Sequence, residues 1–267
     1  MNQPMTPQRA TAPRPRRRPG TRRRAQGWTF LREAARDPRA VGAVAPSGKA
    51  LALALTGPVR SQPGRPLDVL EAGAGTGAVT RVLVPQLPPG SRLDIAEANP
   101  RFAEGLRALV RTYPEPAGDP TRPPFQGRSE GQYAEIRVHA ARVERLETGR
   151  RYDVIVSGLP FTNFAPADVE AIMDRYLELL RPGGTLTYFA YRGTRRARAL
   201  LLSRADAVRH RAVETVLAAY RRSHGTGART VWANLPPATV WRLGRPADLL
   251  PLPGPRAALN ATSGAGS

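Results

Sequence analysis

The sequence predicts an α/β fold, a doubly wound and mostly parallel sheet of about seven strands with an antiparallel hairpin at one edge. Three observations predict it. Short apolar runs alternate with helix-period stretches from residue 67 to residue 222. The run Leu67–Leu70 enters a turn holding Gly73, Gly75 and Gly77, and a helix leaves that turn at Thr80. The last two apolar runs, 229–234 and 239–243, have no helix between them and must pair antiparallel.

The elements follow in order. Residues 26–36 read as a short helix with Trp28, Leu31 and Ala35 on one face, ended by Asp37-Pro38. An extended stretch over 41–47 leads to Ser47, which caps a helix through Leu55, and Thr56-Gly57-Pro58 stops it. Strands are expected at Leu67–Ala72 and Arg92–Glu97, with a helix from Asn99-Pro100 to Val110. The Pro- and Gly-rich stretch 113–132 reads as a surface insertion. Strands Glu135–His139 and Tyr152–Ser157 come next, the latter ended by Ser157-Gly158-Leu159-Pro160-Phe161. A helix over Pro166–Leu180 stops at Pro182-Gly183-Gly184, and Thr185–Tyr191 is the fifth strand. Arg195–Arg222 is a long helix with Leu201, Ala205, Val208, Ala212, Val216 and Tyr220 along one stripe.

Composition divides the 267 residues. Residues 1–25 are an Arg- and Pro-rich tail, 26–57 carry N-terminal helices, 58–245 form the main domain, and 246–267 are a flexible tail. There is no cysteine, which excludes disulfides and thiolate chemistry, and His139, His210 and His224 are too scattered for a metal site. No apolar run reaches membrane-spanning length, and the N-terminus lacks the apolar core of a secretory signal, so a cytoplasmic location is expected. The net charge of +20 is clustered. Residues 1–31 hold eight arginines and no acid, and 192–222 hold nine arginines against Asp206 and Glu214. Such clustering implies a polyanionic partner, nucleic acid or an anionic membrane surface.

A glycine turn after the first strand lets a ligand approach the backbone, and Glu97, at the tip of the second strand, is placed to hold two ribose hydroxyls. An adenosine-containing ligand is expected. Gly73, Gly75 and Ala78 also satisfy a dinucleotide fingerprint, so an oxidoreductase is an alternative. Glu71 two residues before the first glycine, an acid ending strand two and a proline turn ending strand four together resemble class I S-adenosyl-L-methionine-dependent methyltransferases, a Rossmann-like family. The resemblance implies that Gly73, Gly75 and Gly77 pass beneath the methionine portion and that Glu97 binds the ribose. Glu71 would anchor the loop or reach the cofactor's amino end through water, with Ala98, Ala140, Ala141 and Ser157 also along the cofactor. The family's adenine-contacting Asp at the end of strand three is absent, which leaves backbone groups or His139 for that contact.

The turn Ser157–Phe161 resembles the Asn-Leu-Pro-Tyr turn of adenine N-methyltransferases, with Gly158 where the amine-accepting Asn stands. Losing one such buried hydrogen bond costs about 1–3 kcal/mol, which counts against an rRNA adenine dimethylase. Residues 30–47, the turn with Asn163-Phe164 behind it, and 234–241 resemble bacterial phospholipid N-methyltransferases, over residues 27–243 in all. That resemblance implies N-methylation of the phosphatidylethanolamine headgroup by a peripheral enzyme on the inner face of the membrane. Ser157, Leu159, Pro160 and Phe161 would form the acceptor turn, Tyr188 or Tyr191 would help position the amine, and Arg192, Arg195 and Arg196 would meet the lipid phosphate. No metal is expected. A nucleic-acid adenine methyltransferase and a non-catalytic cofactor-binding scaffold are the alternatives.

Overall fold

The computed structural model describes residues 46–113, 134–191, 204–234 and 236–246. The expected helix at 26–36, both tails, nearly all of the 113–132 insertion and the start of the basic helix lie outside the described residues.

The described elements are α1 (Pro46–Leu55), α2 (Gly57–Arg60), β1 (Asp68–Ala72), α3 (Thr80–Leu83), β2 (Arg92–Ala96), α4 (Pro100–Val110), β3 (Glu135–His139), β4 (Tyr152–Ser157), α5 (Pro166–Leu179), β5 (Leu180–Tyr191), α6 (Arg204–His224), β6 (Gly225–Val231) and β7 (Ala238–Gly244). Seven strands form one sheet in the order β3-β2-β1-β4-β5-β7-β6. The first five run parallel, whereas β7 is antiparallel to both β5 and β6. The expected edge hairpin is thus present, with β7 on its inner side.

Helices cover both faces. On one, α5 and α6 pack through Val169, Ile172, Met173, Tyr176, Val213 and Leu217 onto Leu70, Ile155, Leu186 and Tyr188. On the other, α1, α3 and α4 bring Leu51, Leu55, Leu83 and Leu106 onto Val69, Leu93, Ile95, Val154 and Val156. Strands β1 and β4 are buried at every position, which explains the apolar stretches Val69-Leu70 and Val154–Val156 within them and requires partners or protons for the acids they carry, Asp68, Glu71 and Asp153.

Several details differ from expectation: β6 runs over Gly225–Val231 in place of 229–234, and α1 begins at Pro46, before the expected cap Ser47. Gly57–Arg60 continues as a helical turn because Pro58 sits in its first turn, where the missing N–H costs nothing. Leu180–Gly184 belongs to β5, since Leu180 pairs with Tyr152 and the Gly183 N–H bonds the Arg245 carbonyl at 2.7 Å. On α6, Val216 and Tyr220 of the expected stripe pack against the core, but Val208 is 60% exposed and the most buried positions are Val213 and Leu217, so the packed face is centred one residue further along.

At the amino end of the sheet the charges neutralise one another. Arg92 grips Asp68 with two hydrogen bonds of 2.7 and 3.2 Å, and Arg181 bridges Asp68 and Asp153. Burial alone would raise the Asp153 carboxyl, but the Asp68 N–H, Arg181 and Arg65 hold it below the usual carboxylate range.

Candidate functional site

In an open α/β sheet a ligand crevice forms where neighbouring parallel strands lead their chains to opposite faces, beyond the carboxyl ends. Here that point lies between β1 and β4, because β1 pairs with β2 on one side and β4 on the other. Both motifs singled out in the sequence sit there. The Gly73 N–H bonds the Ala96 carbonyl, the Gly158 N–H bonds the Ala72 carbonyl (both 2.8 Å), and the Glu97 N–H bonds the His139 carbonyl at 3.0 Å. The ends of four strands are stitched into one floor.

The glycines do different work. Gly73 and Gly75 take φ of +72° and +56°. A Cβ on Gly73 would lie 2.3 Å from Leu159 Cδ2, so this residue allows the two turns to close on each other. A Cβ on Gly75 would meet nothing within 4 Å, so the space over Gly75 is open. Gly158 approaches from the other turn, and a Cβ there would lie 2.7 Å from the Gly73 carbonyl oxygen. Glycine at 158, where the resembling adenine N-methyltransferases carry Asn, is therefore fixed by backbone contact.

Two carboxylates lie under the glycine turn. Glu97, 3% exposed, accepts hydrogen bonds from the Gly75 N–H (2.9 Å) and the Asn99 N–H (2.7 Å), and burial raises its pKa. A carboxylate has about four lone-pair sites, so these bonds leave capacity for hydroxyls. Ala98 is half-buried beside it, and its N–H also faces the Glu97 carboxylate. Glu71 is fully buried, and its Oε2 accepts the Thr80 hydroxyl at 2.8 Å. Its Oε1 has no hydrogen-bond partner among the described residues. Glu71 thus anchors the helix that leaves the turn, with one oxygen to spare.

Burial pushes the Glu71 carboxyl from 4.5 up to about 7, opposed by Thr80 and aided by the charge of Glu97. Between these values the folded chain holds a proton that the unfolded chain releases. Stability from this group is complete below pH 4.5 and is lost as pH rises through 7. The full loss is about 3 kcal/mol. Urea midpoints should show the difference between the wild-type chain and Glu71→Gln shrinking with rising pH across that window. A constant difference would contradict the assignment.

The acceptor-turn residues separate into two groups. Leu159 and the half-buried Pro160 form the turn itself. Ser157 is fully buried, and its hydroxyl accepts a 2.9 Å bond from the Tyr176 hydroxyl, so it braces the turn from the α5 side. Phe161, which the resemblance placed in the acceptor turn, is 2% exposed, edge-on to Tyr188 at 5.6 Å and to Phe164 at 6.5 Å, so its ring is not open to an acceptor. The short helical turn at Phe161–Asn163 folds the ring into the core.

Tyr188 and Tyr191 are not brought together. Three positions apart on one strand, they face opposite sides of the sheet. Tyr188 is fully buried, accepts a 3.2 Å hydrogen bond from Arg221, and is pushed up to about 12 by burial. Arg221 in turn lies over Trp241 at 4.5 Å and pairs with Glu214. Tyr191 is 42% exposed and meets Phe189 edge-on at 5.1 Å.

Ala140 is exposed and Ala141 half-buried beyond the tip of β3. His139 is bonded through Nε2 to Asp94 Oδ1 at 2.6 Å, and the other Asp94 oxygen accepts the Tyr152 hydroxyl at 2.9 Å. One ring nitrogen is therefore committed to the sheet, which leaves backbone groups as the better-placed partners for an adenine. Sequence reasoning missed both this triad and the Arg221–Tyr188 pair. Their members are up to 58 residues apart, with no local signal linking them.

Among the described residues, no cluster of His, Asp and Glu could hold a metal ion, and no helix is long and apolar enough to cross a membrane.

The chain matches no family model and no curated protein. Its fold is the Rossmann-like fold of solved methyltransferases. It is similar to the N-methyltransferase NodS from Bradyrhizobium japonicum in complex with S-adenosyl-L-homocysteine, at 18% identity and a TM-score of 0.57, covering 83% of this chain and 99% of that one. It is similar also to 1,6-didemethyltoxoflavin-N1-methyltransferase from Burkholderia thailandensis with bound 1,6-didemethyltoxoflavin and S-adenosylhomocysteine (17%, TM-score 0.52, covering 82% and 88%). An O-methyltransferase from Bacillus cereus in complex with S-adenosylhomocysteine gives 17% and 0.50, covering 81% and 90%. All three neighbours are methyltransferases solved with S-adenosylhomocysteine. The antiparallel β7 between β5 and β6 also separates this sheet from the dinucleotide-binding order 3-2-1-4-5-6.

Proposed function

We propose that this chain is an S-adenosyl-L-methionine-dependent N-methyltransferase acting on the phosphatidylethanolamine headgroup at an anionic membrane surface. The observation that carries the cofactor assignment is the open space over Gly75 at the β1/β4 switch point, with Glu97 at its edge. The residues present fit the group. Glu97 suits the ribose hydroxyls, and the unpartnered Glu71 Oε1 suits the cationic amino end, directly or through water. Backbone at Ala98, Ala140 and Ala141 would flank the adenine. When bound, S-adenosyl-L-methionine supplies an electrophilic methyl group on a sulfonium.

The chain's own task is positioning. The acceptor must be a neutral amine, so its ammonium must lose a proton. Among the described acids near the turn, Glu97 is engaged with loop amides and Glu71 lies beneath the loop. Neither is assigned as a base, and the proton passes to solvent. Main-chain carbonyls of the Gly158–Pro160 turn hold the amine in line, and orientation supplies most of the acceleration. Tyr188 acts indirectly by fixing Phe161 and hence the turn.

The adenine N-methyltransferase reading loses support at two points. Position 158 has no room for an amide side chain, and the ring that would stack on a base is buried. The lipid reading draws on the resemblance over residues 27–243 and on the clustered arginines. Its test is lipid analysis of a host that lacks phosphatidylcholine and expresses this chain. Methylated phosphatidylethanolamine is expected; unchanged lipids together with labelled methyl groups in RNA would overturn the reading. Deleting residues 1–36 should reduce flotation with anionic vesicles more than about 100-fold at low salt, since each basic residue near such a surface contributes roughly 1 kcal/mol.

A further inference from the structure

We infer that the tip of the β6–β7 hairpin, led by Trp232, inserts into the headgroup layer of an anionic bilayer and sets the height of the crevice above it. The inference rests on the lipid-substrate reading for its purpose, but not for its evidence.

Trp232 is 69% exposed, the largest exposure among the large apolar side chains described, and Tyr191 is 42% exposed. Register places them at one end of the sheet, because Tyr191 pairs with Ala238 and Ala238 pairs with Val231, the neighbour of Trp232. That end is the carboxyl end of the parallel strands, where the crevice lies. The tip also stands forward of it. Val156 pairs with Thr187, so Tyr191 is three residues beyond the level of Ser157, roughly 10 Å at strand spacing. The headgroup layer of one leaflet is about 5–8 Å deep. A tip seated in it holds the β4 turn, three strands away or about 14 Å across the sheet, close to the level of the headgroup amines.

The chemistry of the tip favours lipid over nucleic acid. Residues 230–241 carry no charge, and the exposed Arg229 lies two residues before Val231, just behind the tip. A nucleic-acid groove needs cations at the contact itself. An uncharged tryptophan-bearing tip with a cation set back behind it suits an anionic interface, where tryptophan favours the headgroup level. The polar cost of insertion is also low. The Asn234 side-chain amide donates to the Pro236 carbonyl at 2.7 Å, and Pro236 and Pro237 have no N–H to leave unpaired.

The test uses the full chain and vesicles of phosphatidylethanolamine with anionic phosphatidylglycerol. With Trp28 and Trp241 changed to Phe, Trp232 is the sole tryptophan. Its emission should shift to the blue on vesicle addition and be quenched by lipids brominated near the headgroup. In the otherwise unchanged chain, Trp232→Ala should lower vesicle partitioning at high salt by about fivefold or more, leaving S-adenosyl-L-homocysteine binding unaltered. Unaltered emission with vesicles bound, or Trp232→Ala partitioning like the wild type, would overturn the inference. So would emission that responds to RNA and not to vesicles. Insertion without lipid methylation would leave this inference standing and remove the proposed acceptor alone.

Discussion

Replacing Gly75 by aspartate is expected to abolish cofactor binding while leaving the fold in place. Position 75 has a φ of +56°, so any L residue there pays about 1–2 kcal/mol for left-handed backbone. Beyond that the folded chain loses little, since a Cβ at 75 meets no atom within 4 Å. The same open space is where the ligand is proposed to lie. A carboxylate placed there also stands beside Glu97, whose Oε2 accepts the N–H of residue 75 at 2.9 Å. Bulk and like charge together should weaken S-adenosyl-L-homocysteine binding more than about 100-fold, a loss of roughly 3 kcal/mol or more. Calorimetry should read that loss, and a thermal melt should show a protein still cooperatively folded. Unchanged affinity would remove the basis for placing the cofactor at this turn. Gly73→Ala should behave in the opposite sense, because its Cβ collides with Leu159 at 2.3 Å and the damage falls on stability first.

Installing asparagine at Gly158, the residue found in the resembling adenine N-methyltransferases, is expected to damage this protein and not to confer adenine methylation. The Cβ would come within 2.7 Å of the Gly73 carbonyl oxygen, a backbone atom held by the β1–β2 and β1–β4 hydrogen bonds. Side-chain rotation cannot relieve that contact, so the two turns must part. Overpacking of this kind costs about 1–3 kcal/mol. Separation of the turns also disturbs the loop that carries Gly75, so cofactor affinity should fall with stability. Denaturant unfolding and calorimetry on Gly158→Asn measure both. A Gly158→Asn variant as stable as the wild type and able to methylate RNA adenine would show that the turn tolerates the amide and would restore the nucleic-acid reading.

Much of this was legible in the chain. Glycines at 73, 75 and 77 with Glu97 at the next strand end were readable because both signals are local: a tight turn demands positive φ, and strand ends are marked by where apolar runs stop. The roles of aromatic residues were less readable. In sequence Phe161 reads as part of an acceptor turn, and Tyr188 as a hydroxyl that helps to position an amine. Their burial depends on a short helical turn and on Arg221 arriving from a helix 33 residues further on. The packing stripe of α6 was hard to read for a related reason. Its apolar residues allow two overlapping stripes, and contact with α5 and the sheet centres the packed face on Val213 and Leu217, with Val216 and Tyr220 of the other stripe at its margin.

The sequence by itself determined the fold class, the parallel core with its edge hairpin, and the glycine turn at which a nucleoside ligand is proposed to bind, since each follows from periodicity and from residues with restricted backbone preferences. Only the tertiary structure decided which side chains face the crevice and which support it from beneath. Ser157, Phe161 and Tyr188 turn inward, one Glu71 oxygen has no partner among the described residues, and Gly158 is held against Gly73. The reason is physical: those outcomes are set by contacts between strands and helices far apart in the chain, and no local pattern encodes a distance between two turns.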